Sequence, residues 1–188
     1  MDLDIIIKKI RFKLNKNLTH IKINNRWVSR SKMPLLKICN GKGLDIGCGS
    51  DKITDRTIGI DLTGKGEIGK YGCERGRESK ADIKCSGDNL RMFDDNSLDY
   101  IVARDNIEHY TNYLKALKEW YRVLKKNGIL GISTPDSRVV NSMRLDPDHK
   151  HAFTPHSLKN SLKIIGFDIM EIGGTIKGWG FYIIAKKK

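Results

Sequence analysis

The chain has 188 residues, with 35 Lys and Arg against 22 Asp and Glu for a net charge of +13, 39% hydrophobic residues and four prolines. That length makes one domain, able to bury ~70% of the surface an unfolded chain exposes, and the composition excludes disorder over most of it. The apolar runs fall far short of the ~20 residues needed to span a bilayer, and Met1-Asp2-Leu3-Asp4 lacks the basic start of a secretory signal, so a cytoplasmic location is expected.

The charge is unevenly placed. Residues 1–42 hold 11 basic and 2 acidic side chains, residues 43–185 hold 21 and 20, and the chain ends Lys186-Lys187-Lys188. A phosphate-tracking surface could therefore come only from the N-terminal arm or the tail, which lowers a nucleic-acid reading. The four cysteines, Cys39, Cys48, Cys73 and Cys85, form no C-x-x-C pair, so reduced structural thiols are expected and neither a zinc site nor a disulfide framework is indicated.

In the arm, Leu3, Ile7, Ile10, Leu14, Leu18 and Ile21 recur at helical spacing with lysines to the sides, which predicts a basic amphipathic helix ending before Asn24-Asn25. Its stripe is taken to pack on the domain, with membrane-surface binding or docking of an anionic partner as the alternatives. A second helical stretch is expected over Trp27–Ile38, interrupted at Met33-Pro34. Residues 1–42 are thus assigned as a basic helical arm or lid and 43–188 as the main domain.

From Gly43 the pattern changes to short apolar runs, which predict strands over 43–47, 57–62, 81–85, 98–104 and 128–133. The segment 63–80, with five glycines, is an irregular excursion. Ile107, Tyr110, Leu114, Leu117, Tyr121 and Leu124 predict a helix, opened by the capping box of Asp105 and Glu108 and stopped by Asn127-Gly128. Thr154-Pro155 opens another helix that runs to Gly166. Asp168–Ile172 and Trp179–Ala185 close the chain as strands whose short glycine-rich link suits a hairpin.

The first strand leads into Asp45-Ile46-Gly47-Cys48-Gly49, and the second ends at Asp61. Glycines after a strand let the backbone pass close to a ligand, and an acidic residue at the next strand tip can accept both ribose hydroxyls. A dinucleotide pyrophosphate wants G-x-G-x-x-G, but Gly47-Cys48-Gly49 is followed by no third glycine at that spacing; an acidic residue before G-x-G, here Asp45, suits S-adenosylmethionine instead.

Leu44 to Gly49, Ile58-Gly59-Ile60-Asp61, Ala81-Asp82-Ile83 with Asn89-Leu90, Asp95 to Tyr100, Ile107-Glu108-His109 and Arg122 to Leu130 resemble, in order, the motifs of class I S-adenosylmethionine-dependent methyltransferases. Asp148 to Phe167 is similar to the C-terminal part of that superfamily's small methyltransferase-domain branch. The resemblance implies an α/β Rossmann-like, seven-stranded, mostly parallel sheet of order 3-2-1-4-5-7-6 with one antiparallel strand. It also implies S-adenosylmethionine as cofactor, with Gly47, Cys48 and Gly49 passing beneath the methionyl moiety and Asp45 helping to hold its ammonium. Asp61 would grip the ribose with Leu62 beside it, Asp82 and Ile83 would meet the adenine, and Arg104 and Asp105 would face the reacting methyl.

Methyl transfer to a hydroxyl needs one proton removed, and the candidate bases are Asp105, His109, His149 and His151. Many relatives have a Ser-His pair where this chain has Arg104-Asp105, so no base is inherited from them. His149 and His151, with Asp146 and Asp148, could meet a divalent ion, but that spacing is not a specific metal signature and no metal is assigned. The reading is methyl transfer to an oxygen or nitrogen of a small-molecule or carbohydrate-like acceptor. Its rivals are an RNA methyltransferase using the basic arm and a non-catalytic S-adenosylmethionine-binding adaptor.

Overall fold

A computed structural model describes residues 20–23, 26–29, 32–69, 76–175 and 179–188. Most of the expected N-terminal helix lies outside the described residues, as does Cys73. The described residues between 20 and 29 are not helical: β1 (His20–Ile23) and β2 (Arg26–Ser29) pair antiparallel. The helix expected over Trp27–Ile38 is reduced to α1 (Met33–Leu36), with Pro34 in its first turn, where a missing amide proton costs no helical hydrogen bond.

The main sheet contains β3 (Gly43–Ile46), β4 (Ile58–Asp61), β5 (Ile83–Lys84), β6 (Leu98–Arg104), β7 (Leu124–Pro135), β8 (Phe167–Gly174) and β9 (Gly180–Lys187). Their spatial order is β5-β4-β3-β6-β7-β9-β8, and β9 runs antiparallel to both neighbours while β3 to β7 are mutually parallel. This is the expected 3-2-1-4-5-7-6 arrangement. Parallel pairing brings the C-terminal tips of β3, β4, β5, β6 and β7 to one edge, where ligands bind in open α/β sheets.

Alternation along β6 splits the core. Ile101 and Ala103 join Leu44, Ile46, Ile60 and Ile132 on one face, under α2 (Tyr113–Val123) and α4 (Pro155–Ile165). Tyr100 and Val102 face the other way, onto Leu35, Ile53 and Ile184. A Cβ on Gly131 would meet Leu35 Cδ2 at 2.9 Å and Ile38 Cδ1 at 2.7 Å, so that glycine lets α1 settle on the sheet.

The helix expected from Ile107 is divided. Ile107–His109 form one 3-10 turn, and α2 starts only at Tyr113, capped by the Asn112 side chain accepting the Lys115 amide at 3.0 Å. Asp105 is not its N-cap: Asp105 adopts φ +46° and gives its amide to Ser133 O at 2.8 Å, continuing the β6–β7 ladder. Nor does Asn127-Gly128 stop α2, which ends at Val123. Asn127, at φ +64°, instead makes a bulge, so that β7 advances from Leu124 to Ile129 while β6 advances only from Leu98 to Tyr100.

The end of α2 is closed by a residue from the chain terminus. Lys187 donates to Tyr121 O at 2.6 Å, Leu124 O at 2.8 Å and Asn96 Oδ1 at 2.8 Å, and Lys188 pairs with Asp168 at 3.3 Å. Two of the three terminal lysines are therefore committed within the fold. Thr154 caps α4 with its expected proline and the helix ends on left-handed Gly166. Between Pro135 and α4 the chain makes a short helix, α3 (Ser142–Leu145), and the loop that carries Asp146 to His151. No helix of the described residues is long and apolar enough to cross a membrane.

Candidate cofactor and acceptor site

The turn after β3 is shaped by Gly47 at φ +67° and Gly49 at φ +50°. A Cβ on Gly47 would also lie 2.2 Å from Asn106 Nδ2, so the close packing of these two loops requires glycine there. The Gly47 amide bonds Ile60 O at 2.9 Å, and Gly59 leaves room for Cys48 Sγ and the Lys52 stem where the loop crosses β4. Cys48 is buried, which pushes its thiol up to about 12, so it packs as a neutral small hydrophobe.

Asp61 stands at the tip of β4, half-buried, and its two oxygens accept the amides of Gly49 at 3.0 Å and Thr63 at 2.9 Å. The carboxylate is thus held by backbone donors from both flanking loops. Leu62 beside it is 71% exposed, a large apolar side chain open to solvent at the same edge. Asp82 Oδ2 accepts from Gly59 N at 2.8 Å and Lys52 Nζ at 2.7 Å. Its partial burial works toward a higher pKa, but Lys52 and the Gly59 amide outweigh that and hold the carboxyl below its ordinary range. Ile83 is half-buried next to it.

Asp45 is fully buried. Its Oδ2 accepts from the Ile53 amide and lies 3.3 Å from Arg104 Nη2, and the same Arg104 nitrogen donates to Asp51 O. Burial pushes the Asp45 carboxyl upward, and the Arg104 guanidinium opposes this. The Arg104 side chain therefore folds back beneath the glycine loop. Asp45 Oδ1 and Arg104 Nε, both buried, have no hydrogen-bond partner among the described residues. Lys32, from the arm, reaches the same loop through Asp51 Oδ1 at 2.5 Å and Lys52 O at 2.6 Å.

At the tips of β6 and β7 a second group gathers. Asp105 is open to solvent, yet protein surrounds it on its other sides, and this desolvation raises its carboxyl while Arg104 opposes the rise. Glu108 is 1% exposed and accepts from Thr134 Oγ1 at 3.0 Å through Oε2. Burial first, then the Asp105 charge, drives its carboxyl well above the ordinary range. His149 gives Nδ1 to Ser142 O at 2.7 Å, stacks edge-on to His109 at 4.7 Å between centroids, and turns Nε2 to within 4.0 Å of Glu108 Oε1. His151 is held apart, with Nε2 at 3.3 Å from Thr111 O and its ring against Tyr113 and Phe153.

The structure thus brings Asp105, His109 and His149 to one end of the sheet and separates His151 from them. Sequence reasoning did not single out Asn106, Lys32 or Lys52, and took Glu108 as a capping residue. For Asn106 the available signal was its place one residue after a strand tip facing a glycine loop.

Residues 44–132 match the family of methyltransferase domains. Over 170 residues the chain is 27% identical to a probable S-adenosylmethionine-dependent methyltransferase of Mycolicibacterium smegmatis, covering 83% of this chain and 65% of that protein. Residues 44–132 are a methyltransferase domain by this match, similar to S-adenosylmethionine-dependent methyltransferases. This methyltransferase domain is also 33% identical over 101 residues to a demethylmenaquinone methyltransferase of Staphylococcus epidermidis, covering 47% of this chain and 41% of that protein. The matches thus span less than two-thirds of these curated relatives' own lengths. The fold of the methyltransferase domain is shared with a solved S-adenosylmethionine-dependent methyltransferase of Thermotoga maritima, described as a possible histamine N-methyltransferase. That likeness has a TM-score of 0.63 and 21% identity over 84% of this chain and 88% of the other.

Proposed function

We propose that the protein transfers the methyl group of S-adenosylmethionine to an oxygen or nitrogen of a small-molecule acceptor seated at the tips of β6 and β7. The observation that carries this reading is the Asp61 carboxylate, aimed by the Gly49 and Thr63 amides at the strand edge beside the glycine loop. That loop, the exposed Leu62 and the carboxylate of Asp82 fit a nucleoside whose sugar is gripped by Asp61. The unpartnered acceptor of Asp45 and unpartnered donor of Arg104 fit the ammonium and carboxylate of the methionyl end.

When bound, the cofactor supplies a methyl carbon activated on a sulfonium. The chain's own work is to position the acceptor, exclude water and take a proton where the acceptor is a hydroxyl. Asp105, open to solvent where β6 ends, is the group placed to accept that proton. His109 and His149 are the nearby imidazoles, and the packing of His151 on Tyr113 and Phe153 favours a structural role for it. The near-balanced charge of residues 43–185 and the name of the staphylococcal relative favour a small acceptor over RNA. Turnover of S-adenosylmethionine with pooled phenols, hydroquinones and amines tests this; cofactor binding with no turnover in any pool would favour the adaptor reading.

A further inference from the structure

We propose that Glu108, His109 and His149 form a binding site for a divalent first-row metal ion of the zinc class. One ligand atom from each lies within 4.8 Å of the others, although His149 is some forty residues away along the chain. Tetrahedral donors at ~2.0–2.2 Å from an ion stand ~3.3–3.5 Å apart, so side-chain shifts of about an ångström close the set. Two imidazoles and one carboxylate with at least one open position is a donor set suited to zinc and its neighbours rather than to magnesium.

Three independent features point to a cation here. First, Glu108 Oε1 is buried and has no hydrogen-bond partner among the described residues, although the other oxygen of the same carboxylate is satisfied by Thr134. Second, the His149 Nδ1 proton goes to the Ser142 carbonyl, which leaves the Nε2 lone pair pointing at that unpartnered oxygen. Glu108 Oε1 and His149 Nε2 face each other at 4.0 Å, beyond hydrogen-bond reach, and an ion between them bonds both, displacing the carboxyl proton; an imidazole oriented by a backbone carbonyl is the usual second shell of a metal-binding histidine. Third, the negative field of Asp105 and Asp146 acts on Glu108, and that of Asp146 and Asp148 on His109.

The site is held in place by its own backbone. Lys150 and His151 give their amides to Glu108 O at 2.8 and 3.1 Å, which fixes the His149 loop to the turn that carries the other two ligands. His109 is half-exposed and the other two ligands are buried, so the open position lies on the solvent side. On the methyl-transfer reading, an oxygen of the acceptor would enter there; the metal site itself stands without that reading.

The test uses the full chain, stripped with chelator and titrated calorimetrically with zinc alone, then with magnesium alone, in the absence of S-adenosylmethionine. The expected result is one zinc per chain, bound at least ~tenfold more tightly than magnesium. His109→Ala and His149→Ala should each weaken zinc by ~tenfold or more, and His156→Ala, on the exposed face of α4, should leave it unchanged. Should the buried His149 variant fold poorly, X-ray absorption of the zinc-loaded wild-type chain decides: two imidazoles with oxygen are expected. No zinc binding by the folded chain, binding that survives His109→Ala undiminished, or a sulfur-containing shell would overturn the proposal. Loss of S-adenosylmethionine binding would bear on the functional reading alone.

Discussion

Asp61 accepts the amide of Gly49 at 3.0 Å, so the acidic residue at one strand tip directly fixes the glycine loop that leaves the neighbouring strand. The carboxylate's second oxygen is held by Thr63 at 2.9 Å, so both loops and the side chain form one preorganised unit. Replacing Asp61 with Ala removes a charged acceptor worth ~1.5–3 kcal/mol, and affinity for S-adenosylmethionine should fall about tenfold to a hundredfold. Unchanged affinity in a folded Asp61→Ala protein would contradict the ribose role.

Arg104 Nη2 lies 3.3 Å from Oδ2 of the fully buried Asp45 carboxylate. Arg104→Ala leaves Asp45 uncompensated beneath the glycine loop, and breaking a buried pair in this way costs about 3–5 kcal/mol. Urea unfolding should show that loss as a lower midpoint, and a midpoint equal to wild type would show that the pair is not the loop's support.

Lys187 closes the C-terminal turn of α2 through carbonyls that have no helical partner. Lys187→Met keeps the stem and loses these bonds, so thermal or urea unfolding should report a loss of about 1–3 kcal/mol. No loss would mean that water serves those carbonyls equally well.

Glu119 gives a pH signature. The Arg122 guanidinium grips its carboxylate at 3.0 Å on both oxygens and holds its pKa below the ordinary value. A folded pKa below the unfolded one means the pair stabilises above the unfolded value of ~4.3, and that contribution is lost as pH falls through the folded value. Glu119→Gln should therefore lower stability by about 1 kcal/mol at neutral pH, with the difference shrinking on acidification. A difference independent of pH would rule out the ionic origin.

Much of this architecture could be read from the residues because buried parallel strands leave unbroken apolar runs, such as Tyr100-Ile101-Val102-Ala103. Glycines and acids at strand tips likewise mark a nucleoside edge. What was misread had competing local signals. Ile21, Lys22 and Ile23 alternate as a strand, yet Ile21 also continues the helical stripe of the arm, and the longer periodicity masked the hairpin. Asp105 and Glu108 have capping-box spacing, but the β6–β7 ladder claims the Asp105 amide and the helix restarts at Asn112. The approach of His149 to Glu108 had no local signal at all, since only the packing of the 146–151 loop against the β6 tip creates it.

Every methyl-transfer role proposed for the strand-tip residues depends on S-adenosylmethionine being the cofactor. Calorimetric titration of the folded chain with S-adenosylmethionine, and with NAD at the same salt, tests it most directly. The expected result is selective binding of S-adenosylmethionine that is weakened by Asp61→Ala. Absence of S-adenosylmethionine binding, or binding of NAD in its place, would contradict it.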